Sequence, residues 1–425
     1  MAASRFGSVE DAPPIEVFAL SEAYKSDPFE KKVSLGVGAY RTDQGQPWVL
    51  PVVREAEKQM AENAALNHEY LPITGNPDFV KESCKLVLGD DSTAIAEGRA
   101  DGAQGLGGTG CIYVGAAFLR KLLGYNTWYI SSPTWGNHRG IAKNLNYDVK
   151  EYRYWDPQTR TLDINGMVED LKNAPPNSVI VLHACAHNPT GVDATPDQWK
   201  MIADVCEQKN LFPFFDIAYQ GFSTGDLEKD AYSVRYFVER GFECLVSQSF
   251  SKNFGLYNER VGNLCFVTKD AANKEAIKSQ LKMIIRQTYS NPPNHGGRIV
   301  ATVLGNPAMK AQWKNHVGVM AGRIIEMRKQ LFERLTNLKT PGVWEHIITQ
   351  TGMFSYTGLT VPQVEYLKSK YHIYMLKSGR INMCGLTSGN IDYVAHAFDD
   401  AVQSGTNVIL RNCASRDLLW ETDKE

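Results

Sequence analysis

The sequence predicts an α/β protein whose mostly parallel sheet lies between layers of helices. From about residue 49 to residue 318, short apolar runs typical of strands alternate with stretches that favour helix. Several runs are apolar at almost every position, as expected of strands that are covered on both faces. With 425 residues, of which 43% are hydrophobic, the chain can bury a large core and form more than one domain.

The elements that support this prediction are spread along the chain. Residues 1–14 are expected to form an arm without helix, because Ala12-Pro13-Pro14 resists helical structure. The predicted strands are Trp128–Ile130, Val179–Leu182, Leu211–Phe215 and Cys244–Val246, and the predicted helices are Cys111–Leu123, Pro196–Lys209 and Val319–Leu338.

Polar side chains follow three of these strands. Asp216 ends the run Leu211–Phe215, Asn188 lies in the turn Asn188-Pro189-Thr190-Gly191, and Lys252 follows the strand at Cys244. Because ligands of open α/β folds bind at the carboxyl edge of the sheet, we expect the three side chains to lie together there. Asp216 either caps the next helix or binds a positive ligand, since an unpaired buried charge costs on the order of several kcal/mol.

Lys252 lies in Ser249-Phe250-Ser251-Lys252-Asn253-Phe254-Gly255, between small hydroxyls and aromatic rings. An ordinary lysine, with a pKa of about 10.4, is protonated and unreactive. Desolvation, or a neighbouring cation such as Arg260, would lower the pKa of this lysine and free its amine for a covalent role. The alternative is that Lys252 is an ordinary solvated loop lysine. Pyridoxal phosphate requires the groups predicted at this edge: a lysine for its aldehyde, a carboxylate for its ring nitrogen, donors for its phenolate oxygen and a phosphate cradle.

The segment Gly105–Gly110 matches the pattern G-x-G-x-x-G of dinucleotide-binding folds. That fingerprint requires a preceding strand and an acidic residue about 20 positions later. We expect no strand in Gly98–Gln104, and the strand Trp128–Ile130 is followed by Ser131-Ser132-Pro133. The prediction is therefore a glycine turn at the start of the helix Cys111–Leu123, whose free amides attract a phosphate. A purely structural turn is the alternative.

Composition and charge argue against several classes of partner and site. A net charge of -2 and a pI near 6.5 give no reason to expect nucleic acid or an acidic membrane as partner. The eight cysteines include no Cys-x-x-Cys pair, which is typical of a reduced compartment. His183 and His187 have a metal-ligand spacing for a helix, but Pro189 and Gly191 follow, so we expect no metal site.

The chain also lacks the sequence signals of membranes and organelles. No uninterrupted apolar stretch reaches the roughly 20 residues of a membrane span. The amino terminus lacks the Arg-rich, acid-poor composition of a transit peptide, so the cytosol is the expected compartment.

Seven motifs connect the chain to a known family. They are Leu35-Gly36-Val37-Gly38-Ala39-Tyr40-Arg41, Asn67-His68-Glu69-Tyr70-Leu71-Pro72, Ser131-Ser132-Pro133-Thr134-Trp135, the Asn188 turn, Phe214-Phe215-Asp216-Ile217-Ala218-Tyr219, the Lys252 segment and Ser378-Gly379-Arg380-Ile381-Asn382. With these motifs, the chain from about Pro14 to about Val402 resembles the aspartate aminotransferase family of pyridoxal-phosphate enzymes (fold type I), in its eukaryotic cytosolic form.

The resemblance implies a domain organisation. Residues 49–318 would form a large cofactor-binding domain with a seven-stranded sheet. Residues 15–48 and 319–404 would form a smaller α/β domain, joined to the first by the helix Val319–Leu338. Residues 1–14 would be an N-terminal arm, and residues 405–425 a C-terminal tail of unknown role that includes Leu418-Leu419-Trp420.

The resemblance also implies the residues that bind pyridoxal 5'-phosphate. Lys252 would bind the aldehyde as the Schiff-base residue and act as general acid and base, with Asp216 and Tyr219 as the other catalytic residues. Asp216, oriented by His138, would keep the ring nitrogen protonated. The remaining contacts would be Trp135 over the ring, Asn188 and Tyr219 on the phenolic oxygen, Gly108, Thr109, Ser249 and Arg260 on the phosphate, and Tyr70 on the phosphate of the neighbouring subunit.

Substrate choice would rest on two arginines. Arg380 would clamp the α-carboxylate, with Asn188, Trp135 and the backbone of Gly38 beside it. Arg286, which by itself is more typical of a helix surface, would come from the other subunit of a homodimer and pair the distal carboxylate. A desolvated guanidinium would reject uncharged side chains by several kcal/mol. The implied reaction is a reversible ping-pong amino transfer between aspartate and 2-oxoglutarate, giving oxaloacetate and glutamate.

Two other functions remain compatible with the residues. Aminotransferases with this fold can accept aromatic or sulfur-containing amino acids, which would change the substrate but not the chemistry. A binding or regulatory protein could keep the scaffold without turnover, although every matched catalytic position carries the expected residue type.

Overall fold

The computed structural model describes residues 4–417, with side chains described for residues 4–404. The predicted cluster Leu418-Leu419-Trp420 therefore lies outside the described residues, as do the side chains of the rest of the predicted tail.

Strands and helices alternate through most of the described chain. The strands are β1 (Val33–Ser34), β2 (Ala100–Leu106), β3 (Thr127–Ser132), β4 (Asp148–Arg153), β5 (Trp155–Asp156), β6 (Thr161–Leu162), β7 (Val179–His183), β8 (Phe212–Ile217), β9 (Cys244–Ser249), β10 (Val261–Val267), β11 (Phe354–Tyr356), β12 (Ile373–Tyr374) and β13 (Arg380–Asn382). The helices are α1 (Glu16–Ser26), α2 (Pro51–Glu62), α3 (Pro77–Leu88), α4 (Thr93–Ala96), α5 (Gly107–Leu122), α6 (Gly136–Asn144), α7 (Ile164–Lys172), α8 (Pro196–Gln208), α9 (Leu227–Asp230), α10 (Tyr232–Glu239), α11 (Lys274–Thr288), α12 (Asn294–Gly305), α13 (Pro307–Asn337), α14 (His346–Thr349), α15 (Val361–Tyr371) and α16 (Ile391–Asp417).

Seven strands form one sheet in the order β2-β10-β9-β8-β7-β3-β4. Strand β10 is antiparallel to both neighbours, and the other pairs are parallel. The sheet is buried on both faces: Val179 and Val181 of β7 belong to one hydrophobic core, and Ile180 and Leu182 to the other. The predicted α/β class with a mostly parallel, seven-stranded sheet is confirmed.

Three short pairs of strands lie outside this sheet. They are β1 with β12, β11 with β13, and β5 with β6. In the first pair, Val33 aligns with Ile373, so segments near the two ends of the chain meet. Residues 4–14 contain neither helix nor strand. No helix in the described part of the chain combines the length and apolar character that a membrane crossing requires.

Two sequence expectations about elements are wrong. Ala100–Leu106 is strand β2, although we expect no strand in Gly98–Gln104. Its glycines weaken the β pattern but let neighbours approach closely, since a Cβ at Gly102 would lie 2.9 Å from the Leu264 carbonyl oxygen. The helix expected at Val319 instead begins at Pro307, where the Asn306 side chain accepts the first free N–H groups.

Of the two grounds expected to exclude the dinucleotide fingerprint, one is wrong and the other holds. A strand, β2, does precede the glycines, and a helix, α5, follows them. However, β2 lies at one edge of the sheet and β3, the next strand along the chain, lies five positions away, so they do not form an adjacent βαβ unit. Strand β3 ends at Ser132 without an acidic residue.

Candidate active site

A cavity of about 210 Å³ opens at the carboxyl edge of the seven-stranded sheet. The strand-end residues Asn188, Asp216 and Lys252 all lie in it, because β7, β8 and β9 are parallel neighbours that end at the same edge. The lining residues are Val17, Gly38, Gly108, Thr109, Ile112, Trp135, His183, Cys185, Ala186, Asn188, Asp216, Ala218, Tyr219, Ser249, Ser251, Lys252, Arg260, Phe354 and Arg380.

The Lys252 amine is desolvated. Burial lowers the pKa of Lys252 to about 8; the positive charge of Arg260 acts in the same direction, and the Asp216 carboxylate opposes both. The amine lies 5.0 Å from the ring centre of Tyr219. A lysine in this state can lose its proton near neutral pH, which an ordinary lysine cannot.

Asp216 is held ionised beside this lysine. Burial alone would raise the pKa of Asp216, but the hydrogen bond from His138 and the nearby charges of His138, His183 and Lys252 outweigh burial, so the pKa lies below its usual value. Nε2 of His138 donates to Oδ2 of Asp216 over 2.9 Å, and Nδ1 of the same ring lies 2.9 Å from Oγ1 of Thr134. The carboxylate can therefore oppose a positive charge in the cavity.

The opposite end of the cavity is a cradle of donors. Helix α5 begins there at Gly107, whose N–H donates to the Arg260 carbonyl over 3.0 Å. The amides of the first turn after it, such as that of Gly108, carry the positive end of the helix dipole. Ser249 and Arg260 line the same end. A Cβ at Gly107, which has a φ of +65°, would lie 2.4 Å from Nη2 of Arg260. Gly107 thus lets the Arg260 guanidinium lie against the start of α5, and the helix amides, Ser249 and Arg260 together suit a phosphate group.

Arg380 forms the far wall. Its Nη2 donates to the Gly36 carbonyl over 2.8 Å, and its Nη1 donates to Oδ1 of Asn188 over 3.3 Å. The guanidinium carbon lies 4.1 Å from the ring centre of Phe354, and Nε finds no hydrogen-bond partner in the part of the chain that the structure describes. No carboxylate of residues 4–404 pairs with Arg380 within 4.0 Å. Burial lowers the pKa of Arg380 below its usual value, although Tyr219 and Glu16 oppose this shift.

The cavity contains most, but not all, of the predicted site residues. Those that line it are Gly38, Gly108, Thr109, Trp135, Asn188, Asp216, Tyr219, Ser249, Lys252, Arg260 and Arg380. His138 lies behind Asp216 and contacts it. Tyr70 and Arg286 are exposed and lie outside the cavity of the single chain, Tyr70 with 82% of its surface accessible.

Ser251 and Phe354 also line the cavity, although the sequence patterns do not single them out. Ser251 could have been identified from its position beside Lys252 in a hydroxyl-rich segment. Phe354 has no such signal, because an apolar ring in the apolar segment Met353-Phe354 looks like an ordinary core residue.

Comparison with known proteins places this cavity in a family. The family model "Aminotransferase class I and II" matches residues 30–398. The chain belongs to the class I and II aminotransferases. Its cofactor is pyridoxal 5'-phosphate, and the cavity fits it: Lys252 can meet the aldehyde, Asp216 the ring nitrogen, and the cradle at Gly108 and Arg260 the phosphate.

Individual relatives of this aminotransferase are similar along nearly their whole length. It is 55% identical to the cytoplasmic aspartate aminotransferase of Gallus gallus, over 95% of this chain and 99% of the relative. The aspartate aminotransferase from Saccharomyces cerevisiae cytoplasm has a TM-score of 0.92 and 44% identity, over 95% and 99% of the two chains. The aromatic-amino-acid aminotransferase of Burkholderia pseudomallei, covalently bound to pyridoxal phosphate, also has a TM-score of 0.92 and 44% identity, over 94% and 100% of the chains.

Proposed function

We propose that this aminotransferase transfers the amino group reversibly between L-aspartate and 2-oxoglutarate, giving oxaloacetate and L-glutamate by a ping-pong mechanism. The observation that carries the proposal is Arg380: a buried guanidinium without a carboxylate partner, in the same cavity as a desolvated lysine. Such a cation favours a substrate carboxylate strongly, since both lie out of water. The names of the cytoplasmic relatives support aspartate as the substrate and the cytoplasm as the compartment.

The residues of the chain would divide the work as follows. When bound, the cofactor supplies an aldehyde for the amino group and a ring that withdraws electrons from the substrate. Asp216 keeps the proton on the ring nitrogen, and His138 fixes the carboxylate in that position. The Lys252 amine moves the proton from the substrate α carbon. Arg380 and Asn188 hold the α-carboxylate, which fixes the α carbon next to Lys252.

The remaining proposed contacts position the cofactor. Trp135 would lie over its ring, Tyr219 and Asn188 would donate to its phenolic oxygen, and its phosphate would be bound by Gly108, Thr109, Ser249 and Arg260. These roles are supported by the common location of the residues in one cavity. The backbone of Gly38 is proposed to lie beside the substrate.

Turnover of two amino acids tests the proposal. With 2-oxoglutarate as acceptor, aspartate should be used with a kcat/KM at least about 10²-fold above that of phenylalanine. Phenylalanine lacks the distal carboxylate that Arg286 is proposed to pair, and a desolvated guanidinium left without its anion costs several kcal/mol. Absorbance of the purified protein in the near-visible range should change on addition of aspartate alone, as expected for a ping-pong half reaction. Equal or better turnover of phenylalanine would instead support an aromatic substrate, which the Burkholderia pseudomallei relative makes the second candidate.

We further propose a homodimer with two shared active sites. Tyr70 and Arg286 are exposed and outside the cavity, which suits residues that act on the neighbouring subunit. In this arrangement the partner's Arg286 would pair with the distal carboxylate of the substrate, and the partner's Tyr70 with the cofactor phosphate.

Subunit hybrids test the shared sites. A Lys252→Ala chain and an Arg286→Asp chain, each inactive on aspartate alone, should regain activity when mixed and refolded together, because one hybrid site then carries both native residues. Mixing Lys252→Ala with itself is the control. Hybrids without activity, at a dimeric mass, would contradict shared sites.

We also propose two domains: residues 49–318, and residues 15–48 together with 319–404. Contacts between the chain ends support the second. Strand β1 pairs with β12, and Nδ2 of Asn382 donates to the Ala39 carbonyl over 2.8 Å. Helix α13 spans the proposed boundary, and α16 continues to Asp417, into the proposed tail of residues 405–425.

A further inference from the structure

Arg328 is a buried cation with an unusual set of partners. It lies on α13 with only 3% of its surface accessible, outside the cavity. Its Nη1 donates to the Ile347 carbonyl over 2.9 Å, and its Nη2 donates to the carbonyls of Thr351 and Gly352 over 3.2 and 2.8 Å and also to that of Phe354. No acidic side chain of residues 4–404 pairs with it. A buried cation held only by backbone carbonyls carries a desolvation cost that a simple core residue would avoid.

The segment held by Arg328 carries one neighbour of Arg380. The ring of Phe354 lies under the Arg380 guanidinium, with 4.1 Å between ring centre and guanidinium carbon, and makes an edge contact with Tyr219. A Cβ at Gly38 would lie 2.9 Å from this ring, so the ring fills the space left by the glycine. The Phe354 carbonyl, on the same residue, accepts from Arg328.

The same segment supports the other neighbour of Arg380. The Thr351 N–H donates to the Gly191 carbonyl over 2.6 Å. A Cβ at Gly191 would lie 2.7 Å from the Phe354 carbonyl oxygen, so the two backbones are in close contact. Gly191 ends the turn that carries Asn188, whose Oδ1 accepts from Arg380. Both groups that flank the Arg380 guanidinium are thus connected to the carbonyls that Arg328 binds.

We propose that Arg328 is a positioning residue for the substrate carboxylate clamp. It contacts neither substrate nor cofactor. Its planar guanidinium binds four backbone carbonyls and so fixes the segment that carries Phe354. The Phe354 ring is thereby held against Arg380, and it keeps the Arg380 guanidinium in the orientation that receives a carboxylate. This role rests on the proposed function of Arg380, and it identifies Arg328 as a residue that sets the affinity of Arg380 for a carboxylate.

Arg328→Lys is the principal test, because lysine keeps the charge but cannot bridge four carbonyls. We expect the holoenzyme to bind succinate, a dicarboxylate without an amino group, about 10-fold more weakly by calorimetry. The KM for aspartate should rise by a similar factor while kcat per active site stays within about 3-fold, as expected for loss of uniform binding. Arg323→Lys is the matched control: it lies one and a half turns earlier on α13, donates to the carbonyls of Leu386 and Thr42, and should leave the succinate Kd within about 2-fold.

A double-mutant cycle shows whether Arg328 acts through Phe354. Phe354→Leu should itself weaken succinate binding. In that variant, Arg328→Lys should raise the succinate Kd by a clearly smaller factor than it does in the native chain. The positioning role would be overturned if the effects of the two substitutions on the succinate Kd simply multiplied. It would also be overturned by an Arg328→Lys protein with a lower Tm but the native succinate Kd. If the lysine variant does not fold, Arg328→Gln gives the same readouts without the buried charge.

Aspartate turnover and succinate binding of the native holoenzyme distinguish a failure of this inference from a failure of the proposed function. A native protein that neither turns over aspartate nor binds succinate contradicts both. A native protein that does both, with variants that retain its succinate Kd, contradicts the role of Arg328 alone.

Discussion

The two walls of the active-site cavity differ in whether their charged side chains have oppositely charged neighbours within the chain. At the sheet edge, the cation Lys252 and the anion Asp216 lie in one cavity, and Asp216 also accepts a hydrogen bond from His138. On the wall built from the chain ends, Arg380 contacts the Gly36 carbonyl, the Asn188 amide and the Phe354 ring, and no carboxylate of the described side chains pairs with it. The first wall is electrostatically balanced within the chain, and the second has a cation whose anion must come from outside.

This difference separates the two tasks of the site. The Asp216 carboxylate is held ionised by groups of the chain itself, chiefly through the hydrogen bond from His138, as its proposed role beside the cofactor ring nitrogen requires. An unbalanced guanidinium has its strongest interaction only when a carboxylate arrives, so it contributes to selection of the substrate. Substitutions on the two walls should therefore have different kinetic signatures.

The largest effect is expected for Asp216→Asn, which removes the anion from the balanced wall. The ring nitrogen of the cofactor would then lose the anion that keeps it protonated, so kcat for aspartate should fall roughly 10²- to 10³-fold, which corresponds to about 3–4 kcal/mol in the activation barrier. The pKa of Lys252 should also fall further below about 8, because Asp216 raises it. Steady-state kinetics with a measured cofactor occupancy give the comparison. Asp226→Asn, at the half-buried N-cap of α9 and outside the cavity, is the control and should keep kcat, because asparagine can also cap a helix. Equal losses in both variants would refute a special role for Asp216.

A somewhat smaller effect, on affinity, is expected for Arg380→Lys on the unbalanced wall. Lysine keeps the charge but loses the paired donors, so kcat/KM for aspartate should fall about 10²-fold, mainly through KM. Initial rates over a range of aspartate concentrations measure the split. Arg153→Lys, on the surface beside Glu169 and Asp170, should stay within about 2-fold of the native value. A fall confined to kcat would assign Arg380 to the chemistry rather than to binding.

The last effect concerns stability and its dependence on pH rather than catalysis. Because burial lowers the pKa of Lys252 from 10.5 to about 8, protonated Lys252 destabilises the folded, cofactor-free chain by up to about 3 kcal/mol below pH 8. The cost fades as pH rises from the folded value toward the unfolded value of about 10.4. Lys252→Met should therefore raise Tm at pH 7, with a gain that shrinks by pH 10.

Melting curves of both cofactor-free proteins at pH 7, 9 and 10 measure this change. Lys172→Met, on the exposed surface of α7, is the control and should show no such trend. A gain that is the same at pH 7 and pH 10 would mean that packing, rather than desolvation of the amine, sets the stability difference.

Much of the sheet could be predicted from the sequence, and the exceptions have a physical cause. The runs at Val179 and Leu211 are apolar throughout, and such runs must be buried on both faces, so their strands and the polar residues after them were predictable. Strand β2 was not, because Ala100–Leu106 is rich in glycine and alanine and is selected by close packing against β10 rather than by its own β propensity.

Local patterns alone determined the class of the fold, the strand ends and the lysine with its aspartate, because burial of apolar runs and the cost of a buried charge act on neighbouring residues. Tertiary structure alone decided that Phe354 lies under Arg380 and that Arg328 gathers the carbonyls that hold it. Phe354 and Arg380 are 26 positions apart in sequence, and the carbonyls lie 19 to 26 positions from Arg328. Their contacts depend on how helices and strands pack, which no local pattern records.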